Sequence, residues 1–182
     1  MKIIAGKFKG MNIYSVAGRS TRPTTSYFRE YIFSVYQSIE GKKVLDLYAG
    51  TGALGLESLS RGALTADFVE MSNGALKALF ANIEKTQTQD ICRIHKRNVL
   101  HFLKKCERKF DIILIDPPYD KGLITPTLEL IIENKLLNPN GAILIEHSRR
   151  EPIPDKYKDL VTYNRDKKRA SLTIIELDDS CK

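Results

Sequence analysis

No stretch of this 182-residue sequence is apolar for long enough to span a membrane. The opening Met1-Lys2-Ile3-Ile4-Ala5-Gly6 is too short an apolar stretch for the core of a secretory signal. Internal repeats and low-complexity tracts are absent, which excludes solenoids and fibrous arrays. Cysteine is scarce: Cys92, Cys106 and Cys181 form no Cys-x-x-Cys pair, so neither a zinc framework nor a disulfide scaffold is expected. His95, His101 and His147 are scattered. All six side chains read as core or surface filling, and no metal site is expected. These absences point to a reducing, cytoplasmic setting.

What is present is an ordinary globular composition, long enough for one domain with a small appendage. Lys plus Arg number 29 against 22 for Asp plus Glu, a formal charge of +7. Such an excess favours an acidic partner, because cations displace counterions from a phosphate backbone. Charge alone does not decide the matter, since many small basic enzymes bind no polymer.

Residues 2–5 and 11–15 read as short strands joined by Gly6-Lys7-Phe8-Lys9-Gly10, a hairpin-like turn. A polar loop, Arg19-Ser20-Thr21-Arg22-Pro23-Thr24-Thr25, follows, and Thr24 or Thr25 is expected to cap the next helix. That helix carries Tyr27, Phe28, Tyr31, Ile32, Val35 and Ile39 at helical spacing. From Lys43 onward strands and helices alternate. Strands are expected at 43–48, 65–70, 91–95, 110–115, 142–146, 160–163 and 172–177. Helices are expected at 53–61, from Ser72 through Ile83, at 99–106 and at 123–137, with a turn at Asn138-Pro139-Asn140-Gly141. This alternation predicts a Rossmann-like α/β fold: a mostly parallel, seven-stranded sheet with helices on both faces. Residues 1–40 form an N-terminal hairpin and helix extension, and 41–182 the main domain. Ligands in such sheets bind at the carboxyl ends of the strands, where strand order reverses.

The first chemical signal is Val44-Leu45-Asp46-Leu47-Tyr48-Ala49-Gly50-Thr51-Gly52-Ala53-Leu54-Gly55, a strand that runs into a glycine-rich turn opening a helix. Gly50 and Gly52 let the backbone turn tightly and approach a ligand. With Gly55 they also satisfy the dinucleotide pattern, so the glycines alone do not choose between NAD and S-adenosylmethionine. Asp46 favours the second. A carboxylate there would repel a pyrophosphate, whereas S-adenosylmethionine carries a sulfonium and an ammonium and no phosphate. Glu70, ending the next strand, is placed to accept from two ribose hydroxyls. Tyr48, within the same turn, is counted with the cofactor-binding residues.

The second signal is Phe110-Asp111-Ile112-Ile113-Leu114-Ile115-Asp116-Pro117-Pro118-Tyr119. Two prolines stiffen the turn after a buried strand. They hold the Asp116 carboxylate and the Pro117 carbonyl as two acceptors, with the Tyr119 ring beside them. Two acceptors and a stacking ring suit an exocyclic amine on a planar base. The acceptors hold both N–H groups and the ring fixes the base plane, so that positioning carries much of the rate.

Together these residues resemble the class I S-adenosylmethionine methyltransferases of the Asp/Asn-Pro-Pro-Tyr/Phe group. Three features are similar to one branch, the RsmD family of bacterial enzymes that methylate N2 of a guanine in 16S ribosomal RNA. They are Ile3-Ile4-Ala5-Gly6-Lys7-Phe8-Lys9-Gly10; Arg22-Pro23-Thr24-Thr25 with Arg29-Glu30; and the cofactor loop from Leu45 through Glu57. The resemblance covers nearly the whole chain. It implies Asp116, Pro117 and Tyr119 as catalytic residues, and Asp46, Tyr48, Gly50, Gly52, Glu70 and Asn98 around the cofactor. Its implied partner is 16S ribosomal RNA or the small ribosomal subunit particle, bound by a monomer. Asn98 stands where the family usually has an Asp contacting adenine; its carbonyl is expected to accept instead. Tyr27-Phe28 replaces a more polar pair, and Lys167-Lys168-Arg169-Ala170-Ser171-Leu172-Thr173 lacks an expected glycine.

Lys7, Lys9, Arg19, Arg22 and Arg29 are expected to extend an RNA-binding surface beside the active site, through Arg forks that match phosphate. The bland alternative is a solvated basic face. Among enzymes, the rivals are a DNA methyltransferase acting on adenine N6 or cytosine N4, for which the chain has no spare target-recognition domain, and a protein-glutamine methyltransferase, for which Asn is expected at Asp116. An NAD-binding dehydrogenase fits the glycines but leaves Asp116-Pro117-Pro118-Tyr119 without a role. A non-catalytic RNA-binding protein would have no need of Asp46, Glu70 and Asp116 together.

Overall fold

Seven strands form one sheet in the order β3-β2-β1-β4-β5-β7-β6. The structure is a computed structural model and describes residues 1–16 and 23–177. The elements are α1 (Pro23–Val35), β1 (Lys43–Leu47), α2 (Ala53–Ser60), β2 (Thr65–Glu70), α3 (Asn73–Thr86), β3 (Cys92–Lys96), α4 (Val99–Leu103), β4 (Phe110–Ile115), α5 (Ile124–Glu133), β5 (Leu137–Ser148), β6 (Val161–Lys167) and β7 (Ala170–Glu176). Strands β1 to β5 pair in parallel, while β7 runs antiparallel to both β5 and β6. Strand order reverses between β1 and β4, so the carboxyl ends of these two strands open the crevice in which such sheets bind ligands.

Residues alternate between the two faces along each strand. Val44, Phe68, Ile112, Leu114 and Leu144 pack with Phe28, Leu56 and Leu79 from α1, α2 and α3. Leu45, Leu47, Val69, Ile113, Ile115 and Ile145 pack with Phe102, Leu128 and Ile131 from α4 and α5. Both faces are therefore covered, as the apolar run Ile112–Ile115 of β4 requires.

Several boundaries differ from expectation for local reasons. Helix α1 begins at Pro23, so Thr24 and Thr25 lie in its first turn, and Pro serves at the first position because that N–H has no helical partner anyway. Helix α5 stops at Glu133, and β5 begins at Leu137. Asn138 to Gly141 form a bulge within β5: pairing with β4 jumps from Phe110↔Leu137 to Ile112↔Ala142. Asn140 takes a left-handed φ of 57° there.

The N-terminal segment makes one isolated bridge, Lys2↔Asn12, in place of two strands. Cross-hairpin backbone bonds remain, Ile3 N to Met11 O (3.0 Å) and Ile13 N to Met1 O (2.7 Å), while other backbone donors go to side chains of the helices. Glu57, fully buried, accepts from Ile4 N (2.7 Å) and Ala5 N (3.0 Å). Asn82 accepts from Tyr14 N (2.6 Å) and donates to Tyr14 O (3.1 Å). Gly6 has φ +79°, and a Cβ there would sit 1.7 Å from the Ser60 carbonyl oxygen, so only glycine permits this approach. Ile3 and Ile13 are buried beneath. No described helix is long and apolar enough to cross a membrane.

Candidate active site

At the switch point lies a cleft of about 1050 Å³. One wall comes from the glycine turn and the ends of β2 and β3: Asp46, Tyr48, Gly50, Glu70 and Asn98. The other comes from the ends of β4 and β5: Asp116, Pro117, Tyr119 and Glu146. The two sequence signals, about seventy residues apart, thus face one space because β1 and β4 are neighbours in register, Leu47 opposite Ile115.

Tyr48 leaves β1 with a left-handed φ of 60°, and its hydroxyl bonds Thr127 Oγ1 on α5 at 2.7 Å. Gly50 has φ +57° and open space where a Cβ would be, apart from Tyr48 O at 3.9 Å, so its backbone faces the cleft bare. Gly52 serves differently from expectation. A Cβ there would meet Leu79 Cδ1 at 2.3 Å, so this glycine lets the turn pack on the core; it does not line the cleft. Asp46 lies beneath the turn, 1% exposed, with Oδ2 accepting from Gly55 N at 2.9 Å. Burial pushes its carboxyl up to about 8, partly countered by the Gly55 amide.

Glu70 accepts from Gly50 N (2.8 Å) through Oε2, and from Met71 N (2.8 Å) and Ser72 N (2.6 Å) through Oε1. This carboxylate splints the glycine turn to the start of α3 and keeps lone pairs for a ligand. Met71, 62% exposed, supplies an apolar surface beside it. Asn98 caps α4, its Oδ1 accepting from His101 N at 3.2 Å. The oxygen expected for adenine is therefore already engaged by one donor.

Opposite, Asp116 ends β4, with burial raising its carboxyl to about 6. Pro117 is buried and Pro118 exposed. The residue that sequence reading missed is Glu146. It ends the apolar run of β5, and the residue before it, Ile145, stands opposite Ile115, so Asp116 and Glu146 lie side by side at the ends of neighbouring strands. Glu146 is 3% exposed, accepts from the Tyr119 hydroxyl at 2.6 Å, and is pushed up to about 8 by burial and by the Asp116 charge. An acid at the end of a buried strand next to the one that carries Asp116-Pro117-Pro118-Tyr119 is the signal that could have found it.

The cations divide. Arg19 and Arg22 lie outside the described residues. Arg29 is buried, not on an outer surface: Nη2 donates to Lys2 O at 2.7 Å, while Nε and Nη1 have no hydrogen-bond partner, and burial lowers its pKa. Lys7 and Lys9 are exposed at the hairpin tip, where Lys7 N donates to Ser60 O at 2.7 Å at the far end of α2 from the glycine turn. Among the described residues of the hairpin, Met1 and Val16 at its open end reach the cleft wall, as does Arg29 from α1. Among the described residues no cluster of metal-binding side chains occurs.

Residues 1–176 match the family described as Conserved hypothetical protein 95. Ribosomal RNA small subunit methyltransferase D of Buchnera aphidicola (Acyrthosiphon pisum) is 36% identical over 153 residues, covering 83% of this chain and 80% of that protein. Its namesake from Escherichia coli K12 is 31% identical over 155 residues, covering 85% and 78%. The chain belongs to the RsmD family. The solved structure of yhhF from Escherichia coli superposes with a TM-score of 0.86 at 27% identity over 98% of each chain. With the family established, the fold is the Rossmann-like fold of class I methyltransferases, and the N-terminal segment is part of the family match.

Proposed function

We propose that this chain transfers a methyl group from S-adenosylmethionine to the exocyclic N2 amine of a guanine in 16S ribosomal RNA, free or within the small subunit particle, acting as a cytoplasmic monomer. The observation that carries the reading is the single cleft with an acid-lined glycine turn on one wall and Asp116-Pro117-Pro118-Tyr119 on the other. The family's relatives named small subunit methyltransferase D support the RNA target.

The residues present fit the cofactor. Gly50 offers bare backbone, Glu70 a carboxylate for ribose hydroxyls, Met71 an apolar face for adenine, and buried Asp46 a carboxyl whose ionised form a cationic ligand favours. S-adenosylmethionine supplies an electrophilic methyl group when bound. Asp116 and the Pro117 carbonyl hold the amine hydrogens, and Asp116 receives the proton that the amine loses as it becomes methylated. Tyr119 stacks on the base, its ring held by Glu146. Guanine offers N1–H beside its amine, two adjacent donors for a carboxylate, whereas adenine sets a ring acceptor there; this favours guanine. The base must leave its stack to reach the cleft, as in other base-modifying enzymes. Lys7, Lys9, Arg19 and Arg22 serve as outlying phosphate contacts.

The test is methylation of ribosomal RNA from a strain lacking the enzyme, with labelled cofactor and nucleoside analysis. N2-methylguanosine is expected. Label in N6-methyladenosine or N4-methylcytidine, or in DNA only, overturns the assignment.

A further inference from the structure

Among the described residues, Arg29, Arg97, Arg150 and Arg169 line the cleft, while the tip of the N-terminal hairpin lies at the far end of α2. Arg150 and Arg169 come from the other flank. Because β7 runs antiparallel to β5, Ala170 pairs with Ser148, and the β6–β7 turn projects from the carboxyl edge of the sheet. There it meets the segment leaving β5. Arg149, Arg150, Lys167, Lys168 and Arg169 gather at this corner, all exposed.

The corner is built. Arg149 N donates to Arg169 O at 3.0 Å, and the Arg149 guanidinium pairs with Asp166 at 3.0 Å, which also accepts from Ser171. Lys168 makes the tight turn with a left-handed φ of 55°. The two acids of this corner are committed elsewhere: Asp166 to these contacts, and Glu151 to Ile124 N at 2.9 Å. Arg150 and Arg169 line the same cleft as Asp116 and Tyr119. Exposed Arg side chains at the mouth of a pocket, with their local acids engaged, present forks for anionic oxygens.

We infer that this β5–β6–β7 corner, through Arg150, Lys168 and Arg169, binds the phosphate backbone of the RNA on either side of the target nucleotide. The inference rests on the RNA reading above and adds where the RNA backbone is held. A base drawn into the cleft brings its own phosphates to the cleft mouth, and this corner is a cationic wall of that mouth, carrying two of its lining arginines. The N-terminal lysines lie too far away to hold these phosphates and contact a more distant part of the RNA.

The test compares the parent with a triple variant, Arg150→Gln, Lys168→Gln and Arg169→Gln, on in vitro transcribed small-subunit ribosomal RNA across a salt series. A control triple variant, Lys104→Gln, Lys105→Gln and Lys109→Gln, removes equal charge from exposed residues at the opposite edge, before β4. Each lost phosphate contact lowers the slope of log affinity against log salt by about 0.7, so the corner variant should lose about 2 units of slope and bind at least about tenfold more weakly near physiological salt. S-adenosylmethionine affinity, measured by titration, should be unchanged and reports intact folding. The charge-keeping variant Arg150→Lys, Lys168→Arg and Arg169→Lys should regain the slope, and single Arg150→Gln should show about one third of the loss. A corner variant that binds and methylates like a methylating parent, or a control variant that loses as much, overturns the corner alone. A parent that binds S-adenosylmethionine yet neither binds nor methylates this RNA overturns the RNA reading and the corner together.

Discussion

The Tyr119 hydroxyl donates to Glu146 Oε1 at 2.6 Å, so the ring proposed to stack on the target base is anchored from the end of a different strand. Stacking and anchoring are separable by substitution. Tyr119→Phe keeps the ring and loses a buried hydrogen bond, worth about 1 kcal/mol, so kcat/KM should fall about fivefold. Tyr119→Ala loses the ring as well, another 1–3 kcal/mol or so, and kcat/KM should fall several hundredfold. Steady-state kinetics with saturating cofactor checks both. Equal losses would mean that the hydroxyl, not the ring, does the work.

Asp116 can take up the proton that the amine loses only as the carboxylate. With its carboxyl raised to about 6, turnover should rise with pH through that region and level off above 7. Asp116→Ala should remove nearly all turnover while cofactor affinity stays within about twofold. A pH–rate profile and a titration of the variant decide this.

Asp46 and Glu146 are both pushed up to about 8 by burial. A carboxyl that is higher in the folded state than in the unfolded chain adds stability below its unfolded value near 4. That stability is lost as pH rises through about 8. The cofactor-free protein should therefore melt at least about 5 °C lower at pH 9 than at pH 6. A cationic ligand favours the ionised Asp46, so S-adenosylmethionine affinity should rise with pH over the same interval and its binding should release protons. Calorimetry in two buffers of different ionisation enthalpy measures that release.

Glu70 is shared by three backbone amides. Glu70→Ala removes the expected ribose acceptor and frees the glycine turn, and should weaken cofactor binding by about 1–3 kcal/mol or more. Unchanged affinity by titration would dismiss the ribose role.

Glu57 is the clamp of the N-terminal segment, holding Ile4 N, Ala5 N and the Arg61 guanidinium while fully buried. Glu57→Ala should cost about 3–5 kcal/mol, because it strands two amides and leaves the buried Arg29 charge without its nearest counterion. Denaturant unfolding measures this loss. Amide exchange should then show residues 3–14 losing protection first.

Much of this architecture is readable along the chain. The run Phe110–Ile115 reads as a central parallel strand, and the residues that follow it point to their chemistry by type and spacing. What sequence did not disclose depends on lateral placement. Glu146 gains meaning only because β5 lies beside β4 in a register that sets it next to Asp116. The corner of Arg150 and Arg169 exists because the last strand returns antiparallel, which no local pattern encodes. Asn138-Pro139-Asn140-Gly141 has turn composition, yet pairing on both sides absorbs it as a bulge. The N-terminal arms pair only at one bridge and a few backbone bonds, because Glu57 and Asn82 take the Ile4, Ala5 and Tyr14 groups that would extend the ladder.

That last arrangement bears on synthesis. Residues 2–14 are held by groups 52 to 68 positions downstream, on α2 and α3. A ribosome adding roughly 5–20 residues per second delivers Asn82 several seconds after Tyr14. For that interval the segment with Ile3 and Ile13 has no surface to bury against, and its docking must follow the rise of the first half of the sheet. Translation speed across residues 15–82 therefore sets how long an apolar leading segment stays open to chaperones.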